Sequence, residues 1–154
     1  MTLHLYEMTD QEFSKYSKFS YENYIEDYAL HAGISISEAR QKTGSSDIKR
    51  TKNDLWYLAK VDQEIIGYIC IQIYPEKNDS FGYDIFLNEN QRGKGYGRKI
   101  MEAGKKILSA QGIFKLRISV FKDNLIAKSL YDSLGFYVVE TNEEAQTFRM
   151  QLNF

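Results

Sequence analysis

The chain has 154 residues, 43% of them apolar and 27% charged, which suits one compact domain over residues 1–154 with a real core. Its net charge of −1 gives no global electrostatic case for nucleic acid or a membrane surface, and no apolar run reaches the roughly 18 residues of a membrane span, so a soluble cytoplasmic protein is expected. The single cysteine, Cys70, excludes an internal disulfide framework, and two distant histidines, His4 and His31, give no metal-ligand cluster.

Leu3 and Leu5, with His4 between them, predict a short first strand. Thr9 and Glu12 have capping-box spacing and open a helix over residues 10–30, which Gly33 stops. Ser35 and Glu38 repeat the signal for a second helix that fades by Gly44 or somewhat later. Residues 43–53 are polar and mixed in charge, and are expected to be mobile. Residues 55–61 read as a strand, Asp62 and Gln63 as a tight turn, and residues 64–74 as a second strand rich in isoleucine. A turn at residues 75–80 leads to a strand over 81–87, so these three strands are predicted to form an antiparallel meander.

A glycine-rich loop follows. Gly93, Gly95 and Gly97 fall at alternate positions just before a helical pattern of Tyr96, Ile100, Ala103, Gly104, Ile107 and Leu108. Glycine lets the backbone turn tightly and approach a ligand, and a helix N-terminus offers free N–H groups with partial positive charge. With Arg92, Lys94, Arg98 and Lys99 nearby, the loop suits a phosphate or pyrophosphate. It is not a Walker loop, because Lys99 is followed by Ile100. A Rossmann fingerprint would need glycine where Arg98 stands and an acidic residue at the end of the next strand, and both are missing.

Gly112 closes that helix, and residues 114–121 alternate as a half-buried strand. Asn124 is a good N-cap for a helix with Ile126, Ala127, Leu130, Tyr131 and Leu134 on its inner face, ended by Gly135. Strands over 136–140 and 147–152 complete an α/β order of β-α-α-β-β-β-α-β-α-β-β, a mixed sheet with helices on both faces.

The segment RGKGYG at residues 92–97 resembles the Q/R-x-x-G-x-G/A signature of the GCN5-related N-acetyltransferase (GNAT) superfamily. The segment NLIAKSLYDSLGF at residues 124–136 is similar to its N-x-x-A-x-x-L-Y-x-x-x-G-F motif, at the usual distance and with a strand between. The element order covers the whole chain and looks most like the small, single-domain bacterial acetyltransferases, with a mostly antiparallel sheet.

The resemblance implies direct transfer of an acetyl group from acetyl-CoA to a primary amine in a ternary complex, without a metal. It places the pyrophosphate on the backbone of Arg92, Gly93, Lys94, Gly95, Tyr96, Gly97 and Arg98. The pantetheine arm would lie along Ile85, Phe86 and Leu87, in a gap between that strand and residues 114–121. The Leu87 N–H would stabilise the acetyl oxygen. Asn124 would contact the pantetheine, Ala127 would give the cofactor room, and Tyr131 would protonate the departing thiolate. An inactive acyl-CoA-binding sensor or interaction module of the same fold is the alternative reading.

The sequence leaves the base and the acceptor open. Asp84, Glu22, Glu26 and Asp27 are candidates by type, each also readable as a solvated charge, and a water chain is equally compatible. Strict alternation puts Asp84 opposite Tyr83 and Ile85 unless a bulge intervenes. Tyr16, Tyr21, Tyr24 and Tyr28, with the helix acids, form either an ordinary amphipathic helix or an acidic, aromatic face for a cationic amine. Peptide N-termini, lysines, polyamines and aminoglycosides all fit. Phe148, Met150 and Leu152 on the last strand suggest an exposed edge and a homodimer.

Overall fold

The structure is a computed structural model that describes residues 2–46 and 49–154. Its elements are β1 Leu3–Glu7, α1 Asp10–Ala32, α2 Ile36–Thr43, β2 Asp54–Val61, β3 Glu64–Tyr74, β4 Asp79–Leu87, α3 Tyr96–Ala110, β5 Lys115–Phe121, α4 Leu125–Ser133, β6 Tyr137–Asn142 and β7 Thr147–Asn153. The order is the expected one. Within the polar stretch expected to be mobile, Asp47 and Ile48 lie outside the described residues. Beside them, Tyr21 Oη donates to the Gly44 carbonyl at 2.6 Å and Arg50 Nη1 to the Met8 carbonyl at 2.7 Å.

Local chemistry sets the boundaries. Thr9 N–H donates to Glu12 Oε1 at 2.9 Å and Thr9 Oγ1 accepts from Glu12 N–H at 3.1 Å, closing the capping box of α1. Such a cap is worth about 1 kcal/mol. Asp62 and Gln63 both take positive φ, 49° and 69°, as a two-residue hairpin turn between twisted strands requires.

Among the described residues the sheet has seven strands in the order β1-β2-β3-β4-β5-β7-β6, antiparallel except for β4 beside β5. One face of the sheet carries Ile69, Ile71, Leu116 and Ile118, covered by Ile100, Met101 and Leu108 of α3. The other face carries Trp56, Leu58, Tyr68 and Cys70, packed against Met8 and Phe13. Ile25, Tyr28 and Ala29 of α1 form a separate cluster with Ala39 of α2.

Two expectations are corrected. Ile126 is 88% exposed, not on the inner face of α4, because that helix begins one residue before it and points its first turn at solvent. The last strand is not an edge, because β7 lies between β5 and β6. The edge on that side of the sheet is β6, where Tyr137, Val138 and Val139 are exposed.

Candidate active site

The β4–β5 pairing is short. It comprises Phe81 opposite Arg117 and Gly82 opposite Ile118, and beyond these the two strands part. On the other side of β4, Asn88 N–H donates to the Ile66 carbonyl at 2.8 Å, in register with Gly67 opposite Leu87. Antiparallel bonding alternates, so Leu87 turns its own N–H and C=O away from β3 and toward the gap. Arg92 Nε donates to the Leu87 carbonyl at 3.0 Å, and its guanidinium stacks 5.5 Å from the Phe86 ring. The Leu87 N–H remains directed into the gap. Gly67 lets β3 lie this close, since a Cβ there would sit 2.0 Å from the Phe86 carbonyl oxygen.

The glycine loop ends at the head of α3. Gly93 and Gly95 have φ of 77° and 83°, left-handed values that strain any residue with a Cβ. Gly95 caps α3 without a side chain, leaving the first-turn N–H groups of the helix open to an anion. Gly97 has a different role. Its missing Cβ admits Leu130 of α4, whose Cδ2 would be 3.1 Å from it. Arg98 also reaches α4, where its Nη2 donates to Ser133 Oγ at 2.7 Å. The loop and α4 are therefore clamped together.

On α4, Asn124 Oδ1 accepts from the Ala127 N–H at 3.2 Å, so its cap role is met while its carboxamide stays exposed. Tyr131 stands edge-on to Phe136 at 5.5 Å between centroids. Burial, and then the negative charge of Asp84, push its phenol up to about 12. At neutral pH it is a proton donor.

The opposite face of the sheet holds a cavity of about 770 Å³. Its shape depends on a β-bulge. The β3–β4 register runs Cys70 opposite Asp84 and then Ile71 opposite Gly82, leaving Tyr83 as the extra residue. Both Tyr83 and Asp84 consequently line the cavity, where unbroken alternation would separate them.

Asp84 is no ordinary solvated charge. Ser20 Oγ donates to its Oδ2 at 2.7 Å and Tyr68 Oη to the same oxygen at 2.6 Å, so neither side-chain bond uses Oδ1. Burial raises its pKa above the usual carboxylate value, against the Tyr68 and Ser20 bonds, and the nearby charge of Asp27 adds to the rise. Asp27 also lines the cavity and is raised by burial. Glu22 is spent elsewhere, held low by the Arg40 guanidinium that donates to both its oxygens at 2.7 and 2.5 Å. The tyrosines divide likewise. Tyr16 leans on Tyr68 at 5.5 Å, Tyr28 is buried, and Tyr21 and Tyr24 reach the cavity.

Cys70 lines the cavity too, but burial and the Asp84 charge push its thiol well above the ordinary value. A thiol held neutral is a weak nucleophile. Among the described residues, no group of three or more His, Cys, Asp or Glu side chains is placed to hold a metal ion. Sequence patterns pointed to neither Gln72 nor Arg149, both of which line the cavity from β3 and β7. Their only signal was a polar residue at an alternating strand position.

The family model described as the acetyltransferase (GNAT) family matches residues 5–136. The chain belongs to this family. It is 30% identical to an uncharacterized N-acetyltransferase of Bacillus subtilis, YycN, over 88% of this chain and 93% of that one. The crystal structure of a putative acetyltransferase of that name and organism superposes with a TM-score of 0.77 over 92% of this chain and 96% of that chain, at 27% identity. The PaiA N-acetyltransferase of Thermoplasma acidophilum, solved in complex with coenzyme A, has the same fold, with a TM-score of 0.73 over all of both chains at 22% identity. A spermidine N(1)-acetyltransferase from that organism is 26% identical over 77% of this chain and 73% of its own length. No described helix is long and apolar enough to cross a membrane.

Proposed function

We propose that residues 1–154 act as an acetyl-CoA-dependent N-acetyltransferase that moves an acetyl group to a primary amine by direct attack, with both substrates bound at once. The observation that carries this reading is the short β4–β5 pairing, which ends at Gly82 and Ile118 and leaves a gap, together with the head of α3 free of a side-chain cap and the buried carboxylate of Asp84. When bound, the cofactor supplies an activated acetyl thioester. The backbone of residues 92–98 holds its pyrophosphate, and Ile85, Phe86 and Leu87 offer a strand edge to the pantetheine. Asn124 offers its exposed carboxamide to the same arm, and Ala127 keeps the helix close.

The chemistry needs a proton taken from nitrogen and one given to sulfur. Asp84 Oδ1 receives the amine's proton as the C–N bond forms, and Tyr131 gives its phenolic proton to sulfur as the C–S bond breaks. The raised carboxyl of Asp84 moves its pKa toward that of its task, while the phenol stays protonated. The Leu87 N–H faces the carbonyl oxygen as negative charge grows there. The inert Cys70 thiol favours direct attack over an acetyl-cysteine relay. An inactive acyl-CoA sensor would have no use for a buried carboxyl at Asp84 and a buried phenol at Tyr131 within its electrostatic reach.

The test is release of free CoA thiol from acetyl-CoA in the presence of a panel of primary amines, with the acetylated product identified by mass. Tight acetyl-CoA binding with no thiol release from any amine would leave the sensor reading in place. The open edge of β6, with Tyr137, Val138 and Val139 exposed, supports a homodimer. Sedimentation showing a monomer at high micromolar protein would remove that assembly.

A further inference from the structure

The acceptor cavity has two chemically distinct ends. At one end stand the carboxylates of Asp84 and Asp27. At the other, Gln72 and Arg149 present N–H donors beside two carboxylates, Glu140 and Asp54, the strand partner of Gln72, whose Oδ2 accepts from Thr51 N–H and Oγ1 at 2.9 Å. Tyr83 Oη donates to Gln72 Oε1 at 2.7 Å, and Tyr74 Oη donates to the same oxygen at 2.9 Å. With its acceptor atom occupied twice, Gln72 has its amide N–H groups left to recognise an oxygen. The bulge that carries Tyr83 into the cavity is what makes this lock possible.

Arg149 provides a second donor, independently. Its guanidinium lies 5.0 Å from the centre of the Phe81 ring, and its Nε is buried with no hydrogen-bond partner among the described residues. Its nearest carboxylate, Glu140, is 3.9 Å from Nη1, too far to satisfy Nε. Phe81 is itself the strand partner of Gln72. Gln72 and Arg149 therefore flank one aromatic floor with two sets of unused N–H donors, the chemistry that binds a carboxylate.

The spacing between the ends follows from the strand. Asp84 is paired with Cys70, and Gln72 lies two residues further along β3 on the same face. Two residues of extended chain cover roughly 7 Å.

We propose that the acceptor is an amino-carboxylate, with its amine at Asp84 and its carboxylate above Phe81 between the Gln72 amide and the Arg149 guanidinium, roughly 7 Å from the nitrogen. Gln72 and Arg149 then decide which amine is used, and the proton transfers at Asp84 and Tyr131 are unchanged. This rests on the transferase reading above. A polyamine would bring a second cation to this end, where Arg149 opposes it while Asp54 and Glu140 attract it, so the amine panel separates the two.

Three chain-matched amines separate the possibilities: 6-aminohexanoate, 1,6-diaminohexane and n-hexylamine, with spermidine and a dipeptide alongside. Initial rates of CoA release give kcat/KM for each. The expected result is at least a 10-fold preference for 6-aminohexanoate over both matched amines. In Arg149→Met and Gln72→Leu that preference should shrink by 10-fold or more, through KM more than kcat, and Arg149→Lys should restore part of it. Thermal unfolding of each variant identifies misfolded protein, and the wild-type panel alone still decides the question if one variant fails to fold. A preference for the diamine or spermidine, or a ratio unchanged in well-folded variants, overturns the amino-carboxylate assignment and leaves the transferase reading standing. Absence of CoA release with every amine overturns both.

Discussion

The glycine loop and the cavity proposed for the acceptor offer recognition in opposite ways. The loop is six consecutive residues, 92–97, and what it offers a ligand is backbone N–H. Any sequence that adopts its two left-handed turns offers the same groups, so a phosphate held there would be read without side-chain specificity. The cavity is assembled from α1 and from strands on both sides of the gap, and what it offers is side chains. Its key carboxylate is buried by Ser20 and Tyr68, which are 64 and 16 positions away from Asp84 in the sequence. A shared substrate can be held by a local motif, whereas a particular acceptor needs tertiary construction.

That contrast can be broken from either side. The largest effect is expected at Asp84. Asp84→Asn keeps an oxygen for Ser20 and Tyr68 but cannot take a proton, so kcat/KM should fall about 10²- to 10⁴-fold, with acetyl-CoA affinity held. The wild-type kcat/KM should rise with pH through the elevated pKa of Asp84, because only the carboxylate is a base, and the Asn variant should lose that limb. A wild-type rate in Asp84→Asn would return the proton to water.

Tyr131→Phe comes next. It removes only a hydroxyl from a ring that remains packed on Phe136, so turnover should fall roughly 10- to 1,000-fold, nearer the small end because water can partly substitute. Acetyl-CoA affinity and thermal stability should be unchanged, a pattern that packing alone would not produce. Since the phenol titrates only near about 12, no loss of activity through Tyr131 is expected on raising the pH from 6 to 9.

Gly95→Val attacks the loop instead. A Cβ at Gly95 meets nothing within 4 Å, so the damage comes from forcing a branched residue into φ 83°. Strain of about 1–3 kcal/mol corresponds to a loss in acetyl-CoA affinity of roughly 5- to 150-fold if the loop reshapes. Isothermal titration of a variant that folds normally should show this loss, and unchanged affinity would move the pyrophosphate elsewhere.

The smallest effect sharpens the contrast thermodynamically. A carboxyl whose folded pKa is raised loses folding stability as pH climbs from its ordinary value of 3.8 through the elevated one, and carries the full penalty above it. Asp84→Asn should therefore unfold at the same temperature or a slightly higher one at pH 7, with the difference fading as the pH approaches 4. A clear drop in melting temperature at pH 7 would mean that the ionised Asp84 stabilises the fold.

The chain's own sequence determined the element order, the caps of α1 and α2, the two-residue turn at Asp62 and Gln63, and the family. Each rests on contacts within a few residues, where side-chain period and backbone conformation are set locally. The loop at 92–97 was legible for the same reason, as was Asn124, whose cap bond spans three residues.

Tertiary structure decided the rest. Burial of Asp84 depends on Ser20 and Tyr68 arriving from α1 and β3. Its facing depends on the bulge at Tyr83, which no alternation pattern announces. Gly97 looked like a phosphate glycine, yet its missing Cβ makes room for Leu130, and that depends on where α4 lands. The β7 strand looked like an edge because its alternation is apolar. It is interior because β6 turns back along its far side, and strand order in a sheet is fixed by long-range pairing that local periodicity does not encode.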